Sequence, residues 1–202
     1  MKKKLILALV IVICIVSAVI WRMQYQKINK EYPQAVVHEV RANQPLKINQ
    51  DTMTATAGKL TLCDRETFQK AYNCDKTFMK QFELNVESDV TFAIVPIEVK
   101  NISDQEQNLD PTGIVMGSEV CSNGLDYSLY TLLNKNLDSL NFKPGETKTI
   151  ILPYVFVNQY FTGKLDKSTK LDGITFELTF SLYPEKRVVC FTNSEIEKYY
   201  LE

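Results

Sequence analysis

Two patterns of hydrophobicity divide the chain. Leu5 to Trp21 is a run of 17 residues without a charge, interrupted by the mild polarity of Ser17. After a polar stretch from Arg22 to Gln34, apolar residues recur at every second position, the period of a strand with one buried face. The first pattern predicts one helix. It rises roughly 25 Å at about 1.5 Å per residue, within the range of membrane spans. The second predicts a sheet protein.

The strand candidates can be taken in order. Ala35 to Arg41 is the first, and Thr-rich Met53 to Cys63 the second, with Gly58 marking a bend or bulge. In Val90 to Lys100, Thr91, Ala93, Val95, Ile97 and Val99 share one face. The other face runs Phe92, Ile94, Pro96, Glu98, Lys100, so this strand starts buried on both sides and emerges into solvent. Asn101 to Asp104 then turns the chain, using side chains that bond their own backbone. Pro96 cannot donate to a ladder, so this strand is expected at an edge or with a bulge. Pro153, in the strand ending at Val157, makes the same demand. Pro144 and Gly145 suit the centre of a type II turn. Ile174, Phe176, Leu178, Phe180 and Leu182 form the cleanest inward face, and Arg187 to Phe191 continues or follows that strand.

Helical spacing interrupts the β pattern twice. Phe68, Ala71 and Tyr72 predict a helix with Asp64 as its N-cap, and Phe78, Met79 and Phe82 a second turn. Leu125 to Asn136 predicts another short helix. Such pieces are expected to cap one end of a sandwich. About seven strands with turns between them give a mainly β class, an antiparallel immunoglobulin-like sandwich with short helical insertions behind one transmembrane helix.

Charge sharpens the topology. The chain has 23 basic and 24 acidic residues, but Lys2, Lys3, Lys4 and Arg22 flank the apolar run. Without those four, the remainder carries 19 basic against 24 acidic residues, a net of −5. An acidic body lacks the clustered Lys and Arg that phosphate backbones require, which excludes nucleic acid as the expected partner. Three lysines before the span hold the N-terminus in the cytoplasm, and Trp21 suits the far interface. The expected organisation is a basic tip and span over 1–22, a stalk over 23–34 and an extracellular domain over 35–202. Cleavage after Val16-Ser17-Ala18 is the rival reading, and lipidation at Cys14 a third. All three place the domain outside the cell.

The order of segments carries a resemblance. A lysine-rich start, one span, a tyrosine-bearing stalk, then "EVKNISDQEQ", "SNGLD", "KPGETKTIILPY" and "FELTFSLYP" resemble a family of small membrane-anchored proteins of unknown function in Gram-positive bacteria. That family is similar to telokin-like and immunoglobulin-like extracellular domains. The resemblance implies the fold and supplies no activity, catalytic residue or cofactor.

Candidate chemistry is sparse. His38 is the one histidine, and no nucleophile motif accompanies it for a hydrolase triad. Zinc-type cysteine pairs and Gly-rich phosphate loops are missing. Asp104, Glu106, Asp110 and Glu119 do not form the compact ladder of a calcium loop, so a solvated edge is expected there. Cys63, Cys74, Cys121 and Cys190 permit two disulfides in an exported domain, with the pairing open. A helix over 64–73 would hold Cys63 and Cys74 too far apart to pair directly.

These observations predict a non-enzymatic, membrane-anchored extracellular module without a cofactor. Its expected partner is a protein, a peptide or an envelope component. Candidate contact loops are Ser103, Asp104 and Gln105, continuing to Gln107, and Ser122, Asn123 and Asp126. The alternatives are an accessory subunit of a transporter or bacteriocin-immunity complex, and an envelope hydrolase. The tail Ser194 to Glu202 either docks a partner through Tyr199 and Tyr200 or packs back on its own domain.

Overall fold

One uninterrupted helix, α1 (Lys2–Glu31), carries both the apolar run and most of the polar stretch behind it. The Tyr32 amide still donates to the Ile28 carbonyl at 2.7 Å, so the helical bonding stops at the residue before Pro33. In this computed structural model, which describes residues 2–74, 90–137, 139–161 and 173–199, α1 is long and apolar enough to cross a membrane over Val10–Glu31. The chain divides into two compact units, Met1–Val36 and Val37–Glu202.

The second unit is a sandwich. One sheet orders β1 (Val36–Arg41), β12 (Glu185–Phe191), β11 (Phe176–Ser181), β7 (Val115–Ser118) and β8 (Ser122–Gly124). The other orders β13 (Ile196–Tyr199), β4 (Leu60–Cys63), β5 (Val90–Asn101), β3 (Met53–Ala57) and β2 (Pro45–Ile48), with β10 (Thr147–Val157) along the free side of β5. A small pair, β6 (Gln107–Asn108) and β9 (Asn141–Phe142), stands apart from both. Val95, Ile97, Val99, Leu152, Tyr154 and Phe156 meet Met116, Phe176, Leu178, Val189 and Phe191 in the core. Alternate residues of facing strands thus supply the two inner faces, as a sandwich requires.

β5 shows the expected change of surroundings along its length. Every residue from Val90 to Val95 is buried, after which Pro96, Glu98 and Lys100 are exposed between buried neighbours. Phe92 and Ile94, on the face away from the core, are covered by two helices. These are α2 (Arg65–Ala71), capped by Asp64, and α3 (Tyr127–Leu133), capped by Asp126. Phe68 of α2 stacks on Phe92 with ring centroids 4.3 Å apart. Leu129 of α3 completes this second apolar cluster with Cys63 and Val90. The helical pieces therefore cover a sheet face rather than capping an end, because the first half of β5 carries too much apolar surface to face water. The second turn expected at Phe78, Met79 and Phe82 lies outside the described residues.

Four further expectations need correction. β5 is not an edge strand: β10 pairs along one side of it, β3 and β4 along the other. Pro96 is accommodated by a break in its neighbour, between β3 and β4. The Gly58 amide donates to the Pro96 carbonyl at 2.7 Å, and a Cβ on Gly58 would stand 3.0 Å from the proline ring. Secondly, Leu182 does not join the inward face of β11. The register shifts between Thr179 and Ser181, and Leu182 is 69% exposed. Such a bulge reverses the alternation that follows it. Thirdly, the sandwich is not wholly antiparallel, since β13 runs parallel to β4. Fourthly, strands number thirteen among the described residues instead of about seven, because short strands such as β2, β8 and β13 form in segments too brief to show a period, and Gly58 splits one predicted strand into β3 and β4.

Pro153 does sit at an edge. Its carbonyl faces away from β5 and accepts from the Asp126 amide at 3.1 Å. The Asn134 side chain takes the place of a further strand there. It accepts from the Ile151 amide at 2.9 Å and donates to the Ile151 carbonyl at 2.8 Å. Asn123 donates to the Val155 carbonyl. Side chains thus occupy positions through which an open edge would pair with another chain.

Candidate functional site

Three connections meet where β5 ends. Asn101 is fully buried at their junction. Its side-chain amide donates to the Gln105 carbonyl at 2.7 Å and the Phe142 carbonyl at 2.9 Å. Its side-chain oxygen accepts from the Ser103 amide at 2.9 Å, the local turn that the Asn-Ile-Ser-Asp sequence predicts. The Asn101 backbone donates to Glu146 at 3.0 Å and accepts from Gly145 at 3.1 Å, joining the β9–β10 turn. Gly145 there has φ 77°, as a type II turn demands at its third residue.

The β2–β3 turn is the third element. Asn49, Gln50 and Asp51 have φ of 49°, 54° and 65°, three successive left-handed residues without a glycine. Such a conformation costs an L-residue about 1–2 kcal/mol, less for Asn and Asp. Surrounding bonds hold it in place. The Asn49 side-chain amide and the Thr52 hydroxyl both donate to Gln107 Oε1 at 3.1 Å. Gln107 in turn donates to the Ser103 hydroxyl at 3.2 Å, and the Ile102 amide to the Thr52 carbonyl at 3.0 Å.

Arg187 fastens the other side of that turn. Its guanidinium donates to Asp51, to Glu185 and to the Lys47 carbonyl. The Arg187 side chain is 10% exposed, whereas Asp51 and Glu185 stand half in water. The hydrogen bond from Arg187 holds the Asp51 carboxyl below its ordinary range, outweighing the opposing effect of desolvation. Burial opposes the charge on Arg187, but the bonds to Glu185 and Asp51 outweigh it and keep its pKa raised. Glu185 also lies 3.5 Å from His38, so the lone histidine stands at the rim of this cluster with 46% of its side chain exposed.

The two candidate loops fare differently. Ser103 and Gln105 lie in the network just described, with Asp104 and Gln105 exposed at its surface. Ser122 is exposed on β8, while Asn123 and Asp126 are used internally, on the β10 edge and as the α3 cap. The structure does not bring the loops together. One lies beyond Lys100, opposite Thr147, and the other beside Val155, about 25 Å away along β10.

The cysteines are dispersed. Cys63, Cys121 and Cys190 carry free thiols, on β4, before β8 and on β12. Cys74 shares the Phe68 cluster with Cys63, and its sulfur lies 3.7 Å from the Tyr72 carbonyl. Burial, then the nearby Asp64, pushes the Cys63 thiol up to about 12; burial, then Glu39, pushes Cys190 up to about 12. No group of three His, Cys, Asp or Glu able to hold a metal occurs among the described residues. Asp110 caps a short turn through Thr112, and Glu119 accepts from Thr175 at 3.2 Å, so these acids do not converge with Asp104.

Sequence reading singled out the Ser103 to Gln107 turn but not Arg187, Asp51 or the left-handed turn that bond around it. Arg187 follows Glu185 and Lys186 at the charged start of β12, so nothing in the local pattern marks it as buried. Asn-Gln-Asp between two strands marks a turn, but gives no sign that all three residues are left-handed.

Comparison with known proteins finds likeness to solved structures whose descriptions assign no activity. The solved structures similar to it include a conserved hypothetical protein from Bacillus anthracis, at 14% identity and a TM-score of 0.42, covering 73% of this chain and 93% of that one. A functionally unknown protein from Listeria monocytogenes matches at 16% identity and a TM-score of 0.35, over 51% of this chain and 58% of that one. An uncharacterized beta-sandwich protein from Clostridium difficile matches at 11% identity and a TM-score of 0.37, over 78% and 95%. No curated protein matches the chain. The model of the domain of unknown function DUF5028 matches residues 39–187, a stretch that runs from β1 to Arg187, and the chain belongs to that family.

Proposed function

We propose that this protein is a non-enzymatic, membrane-anchored extracellular module that binds a protein, peptide or envelope component through the Ser103–Gln107 end of its sandwich. In this reading α1 stays in the membrane, the N-terminus lies in the cytoplasm, and an immunoglobulin-like domain of the telokin-like kind stands outside. The carrying observation is the left-handed Asn49–Asp51 turn clamped by Arg187 and tied through Gln107 to Ser103. Backbone strain persists only where the surroundings over-determine it, and such places recur at binding surfaces. Here the bonded framework fixes loops whose outer side chains (Gln50, Ile102, Asp104, Gln105) remain exposed. A partner would meet a surface already ordered, which lowers the entropic cost of association. The Ser122–Asp126 loop is the weaker candidate, because its polar side chains already serve the fold.

Photocrosslinking in intact cells tests the proposal. A photoreactive residue at Asp104 or Gln105 should capture a discrete envelope partner, and the same residue at Ser122 should not. Capture at Ser122 alone, or at none of the three, overturns it. Exchanging the span for an unrelated one should preserve capture; loss on exchange would favour an accessory subunit that binds through its span.

A further inference from the structure

The stalk half of α1 carries an apolar stripe that the proposed function does not use. Trp21, Tyr25, Ile28 and Tyr32 are separated by four, three and four residues. They are 69%, 55%, 57% and 63% exposed. The Trp21 and Tyr25 rings stack along the helix with centroids 5.7 Å apart, so both side chains lie on one face. The 4-3-4 spacing is that of a coiled-coil seam, narrower than the stripe a helix buries against a globular core.

We propose that this stripe is the seam of a parallel pairing with a second copy of the same chain. The inference rests on the membrane reading, because insertion through one span gives every copy the same direction. Four features favour a second copy over another occupant. Written as a heptad, Trp21 and Ile28 take the d position and Tyr25 and Tyr32 the a position. The flanking g residue Gln24 then meets the e residue Asn29 of the second copy, a neutral polar pair without like-charge repulsion. Lys27 and Lys30 point away from the seam, and Met23 lies opposite it. Continued toward the N-terminus, the register places Ala18 and then Cys14 on the seam, and a small residue within a span permits close approach of two helices. Finally, α1 is one helix through span and stalk, so the paired conformation already exists in a single chain. Pairing would present two loop ends together and raise the avidity of weak contacts.

The test uses the full chain in its own membrane. A benzophenone amino acid is placed singly at positions 23, 25, 26, 28, 30 and 32. Adducts of dimer mass should form at 25, 28 and 32, roughly tenfold above those at 23, 26 and 30. Ile28→Asp should weaken the adduct formed from position 25 about tenfold or more, and Met23→Asp should leave it unchanged. Equal yields around the helix, adducts to lipid alone, or adducts to a different protein would overturn the pairing. A carbonate wash of the same membranes separates the two readings. A retained chain without dimer adducts sinks the pairing only. A released chain sinks the anchor, and the shared direction with it.

Discussion

Arg187 joins β12 to a turn that would not hold its shape unaided. Its three acceptors belong to Lys47, Asp51 and Glu185, so a single side chain closes the gap between the two sheets. Arg187→Met keeps the bulk and removes the donors. The carboxylates left behind are half-exposed and recover water, so the expected loss is about 2 kcal/mol, below that of a fully buried pair. A urea midpoint measures it, and hydrogen exchange at Asn49 to Thr52 should quicken in the same variant. The clamp also has a pH signature. The Asp51 pKa is lowered from 3.8 in the folded chain, so the stabilisation is complete above that value. It disappears as the pH falls through the lower folded value, and exchange at the turn should quicken there. The thiols behave oppositely. Cys63 and Cys190, raised from 9.0 to about 12, bind their protons more tightly in the folded state. They stabilise it fully below pH 9 and progressively less above. At pH 8 the buried Cys63 should react with a thiol reagent far more slowly than in urea, and the half-buried Cys190 more slowly to a lesser degree. Native rates matching those in urea would contradict the burial seen here.

Gly58 and Pro96 act as one unit across β3, β4 and β5. The proline offers no amide, the partner strand breaks where that amide would have bonded, and the break brings the glycine against the ring. Gly58→Ala should cost about 1–3 kcal/mol, because the added carbon meets a ring that cannot retreat without moving β5. Pro96→Ala in the same chain should restore part of that loss, which a double-mutant cycle would measure. Additive losses would show that the two residues do not interact. Sequence alone identified both Gly58 and Pro96 as irregular and placed a bend at Gly58, where the break lies, but it did not connect the two residues. A missing donor can be read from one residue, but the strand that must adjust is a neighbour known only from the sheet order. The same limit explains Leu182, whose alternation is broken by a bulge between chemically ordinary residues. Local signals fared better. The Asp64 cap, the Asn101 turn and the Pro144-Gly145 turn all depend on neighbours within about five positions, and all three form. The candidate site was half legible for that reason. Ser103 to Gln107 is a local turn, while the clamp that orders its surroundings spans 136 positions from Asp51 to Arg187.

At the scale of the molecule, a basic, apolar beginning is followed by an acidic β body. If α1 anchors the chain with that body outside, protease added to sealed cells should remove the body and leave a short membrane-bound fragment. Survival of the full chain, in cells whose other surface proteins are digested, would contradict the topology. The body itself closes late. Strand β4 lies between β5 and β13, and the Lys59–Glu197 pair that pins its outer side joins residues 138 positions apart. During synthesis, β4 emerges long before the strand that shields it. Until then the nascent domain holds an open flank at β4, a form that a quality-control protease can still recognise.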